Sequence, residues 1–280
     1  MGATRTLETG TDYLLASVTD RVATLTLNRP EARNALHPAI FDGLGRVLAE
    51  LREDDSVGAL VVTGAGGAFC AGGDVKAQSA RAEALAASGR PPMSEEARID
   101  DLRRRQHSIS AALYEFPKVT IASLPGAAAG AGLSIALACD LRIAARSAVL
   151  TTAFAKVGFS GDFGGSWFLT QLVGAAKARE LYLTSDRIDT ATAERLGILN
   201  RVVDDEDLPA ETATWAQQFA QGPTVAYRYM KENLDRALRA DLRTCLDGEA
   251  TAMVRTGATD DHREAAKAFV EKRPPNFVGR

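Results

Sequence analysis

Short runs of β-forming residues open the chain, and apolar positions at helical spacing follow. Tyr13 to Ser17 and Val22 to Leu27 are rich in β-formers and separated by Asp20-Arg21, which predicts a hairpin. After a polar loop, Pro38 stands near the start of a run in which Ile40, Phe41, Leu44, Val47, Leu48 and Leu51 fall at helical spacing. Val57 to Val62 is a short apolar run bounded by Asp54-Asp55 and Gly64, the pattern of a buried strand. It opens into residues 64 to 74, where five glycines in eleven positions predict a sharp turn or a close approach of the backbone to something else.

Residues 77 to 98 are mostly Ala, Ser, Arg and Glu with Pro91-Pro92 among them, and read as a mobile surface insertion. Ile99 to Phe116 predicts an amphipathic helix, and Lys118 to Ser123 a second strand running into a glycine turn, residues 125 to 132. A small apolar helix to Cys139 and short strands at Leu141 to Ala144 and Ala148 to Thr151 come next. Beyond Asp204 the pattern is helical throughout, at roughly 207–220, 223–237, 240–256 and 259–270. The fold class is therefore α/β, divided by composition into a body over 1–204 and a helical region over 205–280. The apolar positions of that region exceed what one helical layer buries, which predicts docking on another subunit.

Composition narrows the function classes. The 280 residues are 46% hydrophobic and 25% charged, ordinary values for a soluble domain. A net charge of −3 argues against nucleic acid as partner, since phosphate binding relies on clustered Lys and Arg. The one cluster, Arg103-Arg104-Arg105, stands among acids and reads as a solvated helix face. Cys70, Cys139 and Cys245 match neither a disulfide framework nor zinc spacing, and suggest a reducing compartment. No secretory signal or membrane span is legible, so the expectation is a cytoplasmic protein with no membrane partner.

The glycine loops are not nucleotide sites by pattern. The dinucleotide fingerprint would need glycine where Phe69 and Ile135 stand, and no phosphate-binding P-loop occurs. A serine-hydrolase elbow fails at Asp162, where Gly158-Phe159-Ser160-Gly161 would have to continue with glycine. The three histidines, His37, His107 and His262, are far apart and read as exposed polar residues.

Five segments in order carry a resemblance. They are Asn28-Arg29-Pro30-Glu31-Ala32-Arg33-Asn34-Ala35-Leu36, Phe69-Cys70-Ala71-Gly72-Gly73-Asp74-Val75, and Pro125 through Gly132 with Ala136 to Asp140. Gly164-Gly165-Ser166-Trp167 follows, and then Ala178-Arg179-Glu180-Leu181 leads on to Leu196-Gly197-Ile198-Leu199-Asn200. Together they resemble the crotonase (enoyl-CoA hydratase/isomerase) superfamily over nearly the whole chain. The resemblance implies a spiral of ββα units with a helical C-terminal region that assembles trimers, often paired into hexamers. It implies an acyl-CoA thioester substrate and no metal or separate cofactor, coenzyme A entering as part of the substrate. It makes the backbone N–H groups of Gly73 and Ala131 an oxyanion hole. Fixed amide donors of that kind stabilise a developing enolate by about 3 kcal/mol each. Around the substrate it sets Ala32, Arg33, Ala71, Gly72, Asp74, Val75, Ser134, Phe154, Phe163 and Trp167, with Arg33 and Lys272 candidates for the CoA phosphates.

The resemblance breaks at the carboxylates. The two glutamates with which the family's hydratases activate water are replaced by Ser134 and Phe154, and residues 144 to 161 contain no acid. Asp162 instead matches the position of an aspartate in several non-hydratase members, which implies an isomerase using one carboxylate as a proton shuttle. A desolvated aspartate should have a raised pKa suited to that task. Other readings stay open here: Asp162 as a helix cap, Ser134 as mere packing, an enoyl-CoA hydratase, hydrolysis or dehalogenation through nucleophilic Asp162, and a non-catalytic acyl-CoA binder or scaffold.

Overall fold

The computed structural model describes residues 3–74, 77, 80, 83–85, 87, 88 and 91–280. A seven-stranded sheet is its backbone. The strands are β1 (Arg5–Leu7), β2 (Leu14–Thr19), β3 (Val22–Leu27), β4 (Ala59–Gly64), β5 (Val119–Leu124), β7 (Leu141–Ala145) and β10 (Arg201–Val203), side by side in that order. The first three pair antiparallel and the rest parallel. Asp20 and Arg21 form the two-residue β2–β3 turn at φ 48° and 68°, the left-handed geometry that matches strand twist. A smaller sheet contains β6 (Ala128–Ala129), β8 (Val149–Thr151) and β9 (Ile188–Asp189).

Parallel strands need helical crossovers, and the periodic runs supply them. Helix α1 (Pro38–Glu53) lies between β3 and β4 and buries Ile40, Leu44, Val47, Leu48 and Leu51. His37 caps it, its Nδ1 accepting from Ala39 N–H at 3.3 Å, so this histidine is more than a surface polar group. Val57 turns with Asp54 and precedes the strand, which starts at Ala59, two residues later than the apolar run suggested. Helix α2 (Glu95–Gln106) also begins earlier than expected and continues through a π turn, His107–Ala111, to Tyr114. Its amphipathic character is confined to that second half: Ile109 and Leu113 are buried, while Ile99 and Leu102 are exposed. Of the insertion expected over 77–98, residues 91–98 are described and exposed, with Glu95 onward belonging to α2, while 78, 79, 81, 82, 86, 89 and 90 lie outside the described residues. The basic cluster is balanced, since Arg103, Arg104 and Arg105 pair with Asp100 and Asp101.

Later elements are α3 (Ala131–Leu137), α4 (Gly165–Thr184, broken at Gly174), α5 (Thr190–Arg195), α6 (Leu208–Ala220), α7 (Thr224–Ala237), α8 (Leu242–Gly257) and α9 (Asp260–Glu271). Alternation along β4 sends Leu60 and Val62 to one core and Val61 to another. The second core is closed by Leu208, Trp215 and Ala216 of α6. The composition change at Asp204 is thus not a break in packing, because α6 covers a face of the main sheet. Helices α7 to α9 differ: α7 buries no residue and α8 only Ala252. Lys231 of α7 ties them to the body through Asp140 at 2.7 Å.

Candidate active site

Main-chain hydrogen bonds gather three loops distant in sequence. Ala71 N–H donates to Arg33 O at 2.9 Å and Leu36 N–H to Gly72 O at 2.8 Å, joining the first loop to the second. Ala129 N–H donates to Cys70 O at 2.9 Å, joining the second to the third. Two side chains lock the assembly. Asn34, fully buried, accepts from Arg29 N–H and donates to Ala65 O and Ala68 O. Arg29 pairs with Asp74 at 2.7 Å, whose carboxylate also accepts from Ala77 N–H. These contacts hold the Asp74 carboxyl below its usual range, the Ala77 bond first and the guanidinium next. Gly72 sits at φ 88°, and a Cβ there would lie 2.7 Å from Ala129 O. Only glycine lets the second and third loops approach this closely.

Ala32, Arg33, Ala71, Gly72, Gly73, Asp74 and Ala131 therefore share one region. Val75 lies outside the described residues. Among the described residues no group accepts from the N–H of Gly73 or of Ala131. Gly73 is exposed, and Ala131 opens α3. Two such fixed donors suit an anionic oxygen.

The next turn along the chain supplies an acid. Asp162 precedes α4, whose N-cap position is Gly164 with no side-chain cap. Its Oδ1 is buried and has no hydrogen-bond partner, so the carboxylate does not cap the helix. Burial alone pushes its pKa up to about 6. Ser134 is buried on α3, its Oγ donating to Gly130 O at 3.3 Å. Gly165 presses on that hydroxyl, and a Cβ there would collide with Ser134 Oγ and lie 2.6 Å from Tyr182 Oη. Phe154 is buried beside Gly130 and stacks on Tyr182 at 5.8 Å. The positions at which the resemblance expects the hydratases' glutamates thus hold a back-bonded serine and an aromatic ring.

Phe163 is turned into the core at φ 50°, stacked on Phe41 at 5.5 Å, with its N–H held by Gln106 Oε1 at 2.9 Å. Trp167 is 38% exposed and meets Tyr114 edge-on. Phe163 and Trp167 line a cavity of about 290 Å³ with Gln106, Ser110, Tyr114 and Arg239. Lys272 ends α9 exposed and left-handed, and no described contact ties it to the loops. Sequence reasoning missed Arg29, Asn34, Gln106 and Tyr182, each of which acts across long sequence distance with no local signature. Among the described residues no cluster of His, Cys, Asp or Glu could hold a metal ion, and no helix is long and apolar enough to cross a membrane.

Known proteins resemble this chain in sequence and fold. The family model described as enoyl-CoA hydratase/isomerase matches residues 17–280. The chain is similar to the 1,2-epoxyphenylacetyl-CoA isomerase of Escherichia coli K12, with 36% identity over 272 residues, covering 96% of this chain and 99% of the relative. It is also similar to the mitochondrial enoyl-CoA hydratase domain-containing protein 2 of Bos taurus, at 36% over 270 residues, covering 95% and 87%. The crystal structure of an enoyl-CoA hydratase from Polaromonas sp. JS666 superposes with a TM-score of 0.86 at 31% identity, covering 94% of this chain and 99% of that one.

Proposed function

We propose, from the premise that the chain belongs to the enoyl-CoA hydratase/isomerase family, that it shifts the double bond of an enoyl-CoA thioester with Asp162 as the proton shuttle. The observation that carries this reading is half-buried Asp162, whose Oδ1 is buried without a hydrogen-bond partner and whose pKa burial pushes up to about 6. A base that must take a proton and then return it works best with a pKa near the operating pH.

The thioester carbonyl lies against the N–H groups of Gly73 and Ala131. Ionised Asp162 removes a proton from C2, the electron pair passes into the carbonyl, and the dienolate oxygen is held by the two amides. Protonated Asp162 then delivers the proton at C4, leaving the double bond between C2 and C3. The acyl group extends toward the cavity lined by Phe163, Trp167 and Ser110, whose volume suits a ring or a chain of several carbons. The CoA moiety follows the first two loops, past Ala32 and Arg33. Neither metal nor nicotinamide takes part.

The working form is a trimer or a pair of trimers in a reducing compartment such as the cytoplasm. Leu234, Met253, Val254, Phe269 and Val270 on α7 to α9 are each more than two-thirds exposed. An apolar surface of that extent is a contact surface.

Asp162→Asn tests the chemistry. Isomerisation of 3-enoyl-CoA should fall by a factor of roughly 100 to 10,000 with little change in KM. Normal turnover by this variant would refute the shuttle, and hydration of 2-enoyl-CoA that depends on Ser134 would point to a hydratase instead.

A further inference from the structure

Behind Asp162 the interior holds two buried polar atoms with no formed hydrogen bond. Asp162 Oδ1 and Tyr182 Oη are both buried without a hydrogen-bond partner. Burying a polar group without a partner is costly, so two in one place call for a cause. Glycines bring them together. A Cβ at Gly161 would lie 2.8 Å from Tyr182 Cε1 and 3.3 Å from Tyr182 Oη, and one at Gly165 would lie 2.6 Å from the same oxygen. The phenol is thus pressed against the backbone on both sides of Asp162. Its ring stacks on Phe154 with the planes 22° apart, which fixes its direction.

We propose that Tyr182 is a positioning residue for Asp162, its hydroxyl donating a hydrogen bond to the carboxylate when that group is ionised. The inference rests on the reading of Asp162 as the proton shuttle. A phenol proton turns freely about its C–O bond, so the donor engages the carboxylate and releases it as the proton comes and goes.

Other neighbours do not fill this role. Ser134 Oγ, from α3, is spent on Gly130 O. Gln106 Oε1, from α2, is taken by Phe163 N–H. Phe154 and Phe163 have no proton to give, and Ser166 of α4 is exposed and acts on the Tyr182 hydroxyl, not on Asp162. His107 lines the cavity beyond Phe163, and no charge among the described residues acts on Asp162. Tyr182 does sense Asp162: burial first and then that carboxylate's charge push the phenol up to about 12, with the Ser166 hydroxyl pulling the other way.

Infrared titration of the free protein tests the proposal without any substrate. The C=O stretch of protonated Asp162, identified by its loss in Asp162→Asn, is followed against pH in wild type and in Tyr182→Phe. The midpoint should rise by about one pH unit in Tyr182→Phe, because a hydrogen bond to the charged form is removed. Below the midpoint, where Asp162 is protonated and the hydroxyl unpartnered, the melting temperature should not fall in Tyr182→Phe, whereas above it the variant should melt lower than wild type. Where turnover of 3-enoyl-CoA is measurable, the acid limb of its pH profile should move with the midpoint. Site-specific 3-fluorotyrosine at position 182, nearly the same shape and a stronger donor, should move the midpoint downward, and answers the question if the Phe variant fails to fold. A midpoint unmoved in these variants overturns the proposal whatever the enzyme catalyses. A midpoint that moves while Asp162→Asn turns over normally upholds Tyr182 as the donor and refutes only the shuttle.

Discussion

Asp162 should be a cost to the fold wherever it is ready for catalysis. Its carboxyl goes from a pKa of 3.8 in the unfolded chain to about 6 in the folded one, through burial. A raised carboxyl contributes stability that is fully present below the lower value and lost as pH rises through the upper one. The shift corresponds to about 2 to 3 kcal/mol once residual solvent screening is allowed for. Asparagine in its place does not titrate, so the wild type should lose that amount relative to Asp162→Asn between about pH 4 and pH 7. For a chain of this size, 1 kcal/mol moves the melting temperature by about 2 °C. The melting-temperature difference between variant and wild type should therefore grow by about 4 to 6 °C across that interval. Scanning calorimetry of both proteins at pH 4.5, 6 and 7.5 reads it directly. Whatever fixed cost a buried amide adds is the same at every pH, so only the slope matters. The same pKa sets the rate: kcat/KM should be flat above about pH 6 and fall about tenfold per unit below it. A difference in melting temperature that does not change with pH would refute the buried, unpartnered carboxyl on which the mechanism depends.

Ser134→Ala should keep isomerisation within about tenfold of wild type in steady-state assays, because its hydroxyl is committed to Gly130 O and handles no proton. Acetyl-CoA should bind with no added metal or nicotinamide, and calorimetry that detects no binding of any CoA ester would contradict the substrate class. Light scattering should find a trimer or hexamer, and Val254→Glu together with Phe269→Glu should shift it toward monomer, because both side chains are about four-fifths exposed on the isolated chain.

The parts of this fold legible in sequence are those whose physics is local. The α1 stripe from Ile40 to Leu51 and the Asp20-Arg21 turn depend on residues a few positions apart, and both lie where the pattern puts them. The glycine loops stand out for a related reason: at Gly72 only the smallest residue fits, so the constraint is written into the residue type itself. Boundaries fared worse where tertiary contacts decide them. No periodicity announces that α2 passes into a π turn, or that α6 belongs to the sheet and not with the helices after it. Asp162 was visible through position and chemistry, but its lack of any partner was not, because that depends on Ser134, Gln106 and Gly164 each being committed or mute in three dimensions. Arg29 and Asn34 were invisible as anchors for the same reason, their partners being up to 45 residues away.

That division bears on why such a site persists. An ionised carboxyl left without a partner would be neutralised by almost any nearby donor or cation, and its pKa would fall toward the ordinary range. The surrounding choices run the other way. A phenylalanine stands at 154 and Ser134 is turned back on its own helix, while Arg29 is paired with Asp74. Each choice keeps charge away from Asp162, and together they leave it near pH 6 at the expense of stability. Selection for stability alone would replace it, for asparagine at that position should fold more stably at neutral pH. A carboxyl in so unfavourable a setting is the pattern expected of a group that takes part in chemistry.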